Sequence, residues 1–327
     1  MKAWALIAVI LGVGVGVLAA WWNRPAPDAA AEGAWEAVVS IAPLRGLIEP
    51  LLPEGSRVTV LIPPGVSEHG YELRPGDASA LARADLVAIV GLGLEPRIER
   101  LLDRDTGASR LTLVMADMLG IVGHEGHDHA ETPHDPACGL CDHGLDPHLW
   151  LDPVLTRRFV EQAAGAIASE LESRGRREDA RSVRDRARAL VASIDGVDSA
   201  YRERLAPAAG AAIVTHHAAW GRLADRYGLE QAAVVRPIES AEPTPGEIAD
   251  AVRTITSRNI RVLFVEPQFS DRGARRIAER TGITVGQLDP LGDGDWVAMM
   301  MGNLAELERL LVPESDRVVL NGSDRAP

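Results

Sequence analysis

The chain has 327 residues, 46% of them hydrophobic, enough to bury a sizeable core and to build two domains or one large one. Its formal net charge is −13 at pH 7, and no Lys/Arg cluster stands clear of interspersed acids, which argues against nucleic acid as a partner. An acidic balance of this kind keeps a protein soluble and leaves small cationic partners open.

The first segment, MKAWALIAVILGVGVGVLAAWW, sets Lys2 before an apolar run from Ala3 to Trp22, and the Pro/Ala-rich NRPAPDAAAEG comes next. This is the pattern of an export signal. Cleavage near Ala29 to Ala31, or retention as a membrane anchor with Trp21 and Trp22 at the interface, are the two alternatives. Residues 1–33 are therefore read as signal or anchor plus linker, with the remainder working in the periplasm or at the cell surface.

From Trp35 to Glu99, short β-rich runs (EAVVSIAP, RVTVLIPP, DLVAIVGLG) alternate with helical stretches such as the amphipathic GDASALARA. That alternation predicts a parallel sheet with helices on its faces, and LTLVMA from Leu111 supplies another strand. Loops at the ends of such strands are where these sheets bind ligands. Between Gly123 and Gly144 the chain gathers five of its nine histidines, His124, His127, His129, His134 and His143, with its two cysteines, Cys138 and Cys141. The acidic, apolar-poor setting reads either as a solvated insertion or as an accessory metal-collecting loop. In an exported protein a lone C-x-x-C is equally a local disulfide. The loop runs straight into LDPHLWLDP, where His148 sits among apolar and turn-forming residues.

Two long helices are predicted next, Val154 to Ser173 and about Arg177 to Leu205. In the second, Val183, Ala187, Leu190, Val191, Ile194, Val197, Tyr201 and Leu205 recur at three- and four-residue steps on a highly charged background. At 1.5 Å per residue it is roughly 40 Å long, and it lies between two halves of like pattern, which makes it the natural connector. The second half repeats the alternation: AAIVTHHA, AWGRLADRYG, QAAVV, a helix from Pro245 to Ser257, RVLFVEPQ, SDRGARRIAERTG and ITVGQLDPLG. A helix from Val297 to Leu311 packs back on the core. The expected fold class is α/β, with two lobes, each a mainly parallel β-sheet flanked by helices, joined by one long helix. Its parts are an N-terminal lobe at 34–175 with the loop at 123–144, a connector at 176–206, a C-terminal lobe at 207–315 and a flexible tail at 316–327.

Outside the loop the histidines are His69, His148, His216 and His217, each at the end of an apolar or β-like run. A lone His is usually a satisfied structural residue, but histidines at three strand ends beside a His-rich loop point to a shared metal site. Here the sequence resembles the zinc-uptake solute-binding proteins of bacterial ABC transporters, within the wider group of zinc, manganese and iron receptors. GVSEHGYELRPGD from Gly65, DPHLWLDP and HHAAWGRLADRYGL from His216 carry the resemblance, together with IESAEPTPGEI, VEPQFSDRGARRIAERTG and LDPLG, and it covers the chain after Gly33.

The resemblance implies that His69, His148 and His217 bind the metal, with Asp289, Glu68 or a water in fourth place. Aligning Trp220 and Gly221 with the family's aromatic-Gly pair selects His217, whereas a slip of one residue selects His216. Ala218 stands where many relatives carry Asp. Glu68 is a ligand, an orienting carboxylate or a solvated acid, and Glu266 is a carboxylate near the site. The resemblance places His69 and His148 on the first lobe and His217 and Asp289 on the second. Three imidazoles favour Zn²⁺ over the harder manganese or iron. The implied function is that of a monomeric, non-enzymatic receptor that captures Zn²⁺ between its lobes and delivers it to an ABC permease. The rivals are a zinc hydrolase using Glu68 as base, although no H-E-x-x-H or G-x-S-x-G is present, and a metal-dependent adhesin or storage protein.

Overall fold

The computed structural model of the chain describes residues 33–69, 71–104, 109–121, 146–235 and 244–317. The expected signal or anchor, the His-rich loop with Cys138 and Cys141, and the end of the tail lie outside the described residues. Among the described residues no helix is long and apolar enough to cross a membrane.

The first lobe is built from β1 (Glu36–Val39), α1 (Ala42–Ile48), β2 (Arg57–Val60), α2 (Pro75–Arg83), β3 (Leu86–Ile89), α3 (Pro96–Arg104), β4 (Leu111–Val114) and α4 (Met115–Leu119). Its four strands pair in the order β2-β1-β3-β4, all parallel. Two long helices come next, α5 (Pro153–Ser173) and α6 (Arg177–Leu205). The second lobe repeats the plan with β5 (Ala212–Thr215), α7 (Gly221–Arg226), β6 (Glu230–Val234), α8 (Pro245–Arg258), β7 (Val262–Val265), α9 (Arg272–Thr281) and β8 (Thr284–Gln287), and then α10 (Trp296–Leu311). Its strand order, β6-β5-β7-β8, is again parallel throughout.

Local chemistry explains the elements. The central β3, LVAI, is buried along its whole length, as a strand covered by helices on both faces must be, while the edge strand β2 alternates exposed and half-buried residues. Helix α5 starts where Asp152 accepts hydrogen bonds from the Val154 and Leu155 amides and Pro153 occupies the first turn. Thr244 and Glu247 form a reciprocal capping box at the start of α8. The run read as the strand LTLVMA ends at Val114. Met115 and Ala116 belong instead to the short α4, which closes at Gly120 with φ 69°, a left-handed conformation that glycine reaches without strain.

The connector α6 has 29 residues, about 43 Å at 1.5 Å per residue. Its stripe of Val183, Ala187, Ile194, Val197, Tyr201 and Leu205 is buried. It binds the second lobe through the Tyr201 hydroxyl, which donates to the Met300 carbonyl at 2.7 Å, and through an Arg204–Glu308 ion pair. One continuous apolar core runs from β1 and α1 through α5 and α6 to α10, so the lobes share a floor as well as a connector. A tight approach occurs at Gly46 on α1, where an added Cβ would lie 2.5 Å from the Gly294 carbonyl oxygen and 2.8 Å from the Trp296 amide nitrogen.

Candidate metal centre

Parallel packing leaves the carboxyl ends of the strands as the place where side chains from separate segments converge. Glu68 and His69 lie in the loop after β2, and His217 comes just after β5. Glu266 directly succeeds β7, and Asp289 lies just beyond β8. His148 stands just before a single 3₁₀ turn, Leu149–Leu151, that leads into α5.

Four of these groups meet. Glu68, His69, His148 and His217 each offer one donor atom, and the four atoms lie within 4.8 Å of one another. The Nε2 atoms of His69 and His148 are 3.3 Å apart, and those of His217 and His148 3.1 Å. Glu68 Oε1 stands 3.5 Å from His148 Nε2 and 3.9 Å from His69 Nε2. A tetrahedron of Zn–N bonds near 2.0–2.1 Å has edges of about 3.3–3.4 Å, so His148 Nε2 already stands at about the spacing of adjacent ligands from the Nε2 atoms of His69 and His217.

The outer nitrogens are anchored. His148 Nδ1 donates to Asp146 Oδ1 at 2.7 Å, and His217 Nδ1 donates to the Glu266 carboxylate at 2.8 Å. A carboxylate that accepts from Nδ1 fixes the ring and turns Nε2 toward the shared centre. The residues that carry these carboxylates are themselves held. Trp220 Nε1 donates to Glu266 at 3.0 Å, and the Arg222 guanidinium bonds the Asp146 carbonyl at 2.7 and 3.0 Å. The inner rings are almost wholly buried, whereas the His69 side chain is 23% exposed and marks the open side.

Electrostatics divides the group. Burial pushes the Glu68 carboxyl upward, but the hydrogen bond and positive charge of His148 outweigh it and hold the group at about 2. Burial lowers His69 to about 3, beyond what the Glu68 charge restores, so this ring is neutral. Burial also disfavours a charged His148, yet hydrogen bonds to Asp146 and Glu68 raise it to about 9. Without metal the centre therefore holds an imidazolium between two carboxylates.

The remaining sequence candidates stand apart from this group. The His216 ring lies against Phe269, with centroids 5.1 Å apart, and its amide bonds the Phe264 carbonyl. Asp289 Oδ1 accepts from Gln268 Nε2 at 2.7 Å and from the Leu291 amide at 3.0 Å, and its backbone is clasped by Asn303. Glu68, not Asp289, is the carboxylate among the three imidazoles. Sequence reading overlooked Asp146 and Arg222. The spacing D-P-H, with Pro147 between the carboxylate and His148, was a usable signal for the first, but Arg222 lies 76 residues away and offered none.

Residues 37–310 match the family described as periplasmic zinc-uptake complex component A. The zinc-binding lipoprotein AdcA of Streptococcus pneumoniae serotype 4 is 26% identical over 266 residues, 80% of this chain, and the chain spans 51% of that longer protein. The high-affinity zinc uptake system protein ZnuA of Bacillus subtilis strain 168 is 24% identical over 254 residues, 78% of this chain and 77% of its own. A crystal structure of ZnuA superposes with a TM-score of 0.69 at 27% identity, covering 85% of this chain and 99% of that one.

Proposed function

The chain belongs to the periplasmic zinc-uptake component A family, and from that premise we propose that it is an extracytoplasmic receptor that captures Zn²⁺ between its lobes and hands it to an ABC permease for import. The observation that carries the reading is the convergence of three imidazoles and the Glu68 carboxylate within 4.8 Å of one another, with the His69–His148 and His148–His217 nitrogens at tetrahedral-edge spacing and two rings oriented by the Asp146 and Glu266 carboxylates. Three neutral nitrogens and one carboxylate suit zinc, whereas manganese and magnesium favour harder oxygen sets. The roles of Glu68, His69, His148 and His217 as ligands, and of Asp146 and Glu266 as their orienting partners, belong to this proposal.

Four protein donors also weigh against the hydrolase reading. A catalytic zinc keeps one position for water, and in this reading the Glu68 carboxylate would take it. The relatives named as zinc-binding and zinc-uptake proteins support the cargo. The lobe boundaries, the permease, the monomeric state and the export of the chain belong to the same proposal.

The test is competitive titration of the metal-free protein with Zn²⁺ and Mn²⁺, beside His217→Ala and a deletion of residues 123–144. One tight zinc equivalent that survives the deletion and is lost in His217→Ala is expected. Tight binding that vanishes with the loop and persists in His217→Ala would move the chemistry out of the cleft.

A further inference from the structure

The backbone ladder of the second sheet reaches His216, one residue short of a ligand. The Val235 amide bonds the Thr215 carbonyl at 2.9 Å on the β6 side, and the His216 amide bonds the Phe264 carbonyl at 2.8 Å on the β7 side. His217 is the next residue, extended at φ −134° and ψ 171°, at the head of the 3₁₀ turn Ala218–Trp220. Glu266 turns its ring, but a ring is aimed well only where the backbone beneath it is fixed.

Two polar side chains meet under that backbone. Thr215, at the end of β5, is wholly buried, and its hydroxyl donates to the His217 carbonyl at 2.8 Å. A hydroxyl has one proton, so with that proton committed Oγ1 can only accept from a further neighbour. It accepts from Gln231 Nε2 at 2.5 Å, and Gln231 is itself buried. The strand that brings Gln231 here is irregular. Ile213 pairs with Gln231 but Val214 with Ala233, so Ala232 is an extra residue in β6. A bulge of this kind is rare between parallel strands, bends the strand that carries it and re-aims a neighbouring side chain. Gln231 lies immediately before the extra residue and opposite Ile213, on the face of β5 that Thr215 shares.

We propose that Thr215 and Gln231 are positioning residues of the metal centre, a buried relay from β6 through β5 that fixes the His217 backbone and so sets its Nε2 3.1 Å from that of His148. This rests on the reading of the cluster as a divalent-metal site. Thr215→Val keeps the shape of the side chain but removes the hydroxyl. The His217 carbonyl and the Gln231 amide each then lose a partner in a dry setting, and the segment shifts to recover one. Thr215→Ser keeps both bonds. Gln231→Leu removes the outer donor and leaves the Thr215–His217 bond in place, so it acts more weakly.

The test is made on the full-length chain with three readouts: zinc affinity against a chromophoric chelator, the visible bands of the Co²⁺-loaded protein, which follow coordination geometry, and the melting temperature. Thr215→Val should bind zinc about tenfold more weakly or worse and shift the cobalt bands, while Thr215→Ser stays within about threefold of the wild type. Gln231→Leu should fall between them and add little to Thr215→Val in the double variant, because the two bonds act in series. A relay that only stabilises the fold would lower the melting temperature and leave affinity and cobalt bands unchanged in Thr215→Val, and that result overturns the proposal. Where Thr215→Val does not fold, the same result in Gln231→Leu overturns it. The metal-free protein gives an independent measure, the nuclear magnetic resonance signal of the His217 Nδ1 proton held by Glu266. Its exchange with water should quicken in Thr215→Val and in Gln231→Leu, and hold at the wild-type rate in Thr215→Ser. A wild type without a tight zinc equivalent would defeat the receptor reading, and the Nδ1 proton would then decide the relay alone: an unchanged exchange rate in both Thr215→Val and Gln231→Leu overturns it.

Discussion

Zinc binding should expel a proton, and the proton comes from His148. Its Nε2 must donate a lone pair to the metal, but with Asp146 on Nδ1 and Glu68 near Nε2 the ring stays protonated until about pH 9. Raised above the free value near 6.5, the group carries its proton throughout the neutral range, so affinity climbs with pH until about 9 and flattens above it. Two pH units below that value, at pH 7, competition by the proton weakens binding on the order of a hundredfold, roughly 3 kcal/mol. His69, already neutral, and Glu68, already ionised, add no proton in this range. A free imidazole would confine the weakening to below about pH 6, and the Asp146 and Glu68 carboxylates move the window upward. Calorimetric titration with zinc in two buffers of different ionisation enthalpy reads the released proton as the slope of apparent against ionisation enthalpy. A value near one at pH 7, falling toward zero above pH 9, is expected. No release at pH 7, with affinity flat from pH 7 to 9, would refute the reasoning.

Removing the carboxylate behind a ligand tests orientation apart from coordination. Glu266→Gln leaves the His217 ring in place but weakens the acceptor at Nδ1, and a loss of 10- to 100-fold in zinc affinity with unchanged stoichiometry is expected by competition with a chromophoric chelator. Gly46→Ala brings a methyl group against the Gly294 carbonyl and the Trp296 amide, backbone atoms that do not swing aside, so thermal unfolding should show destabilisation of about 1–3 kcal/mol. Deleting residues 123–144 should leave the affinity of the tight site within about threefold, since its donors lie outside that segment, and reduce the number of weaker equivalents measured by equilibrium dialysis. An unchanged stoichiometry would sink the accessory role of the loop.

Most of the fold was legible because its signals are local. Valine-rich runs such as EAVV and VLFV read as covered strands, and the three- and four-residue recurrence from Val183 to Leu205 as one face of a helix. Met115 escaped because an apolar run passes from strand to helix without a break in composition, and periodicity cannot divide so short a stretch. At the site, the histidines were legible by their places at strand ends. That Glu68 and not Asp289 lies among them was not, since both are single acids in loops. What separates them is a partner: Gln268 and the Leu291 amide occupy Asp289, while Glu68 is buried against His69 and His148. Least legible of all were the long-range bonds around His148, from Arg222, Arg226 and Trp296, each of which approaches from far along the chain and carries no mark in the sequence.

The charges around the centre explain why a divalent ion suits it. Glu68, Asp146 and Glu266 bring three formal negative charges, and Arg222 returns one. Without metal the His148 proton supplies a second positive charge, which leaves a deficit of one. Exchanging that proton for a dication makes the balance neutral, whereas a monovalent ion would leave the deficit and a trivalent ion would overshoot it. In a buried setting such a residue is expensive, because unpaired charge away from water costs several kcal/mol. Charge thus selects for valence, and it does so without distinguishing zinc from manganese or magnesium. That second choice falls to the three imidazoles, which suit borderline ions and offer a hard octahedral ion neither its oxygens nor its six positions. Replacing His69 by Asp would alter both terms at once, adding a negative charge and a hard oxygen, and so should lower zinc affinity at least tenfold and narrow the zinc-to-manganese ratio in competitive titration. A ratio that widened instead would mean that the imidazoles do not set the selectivity.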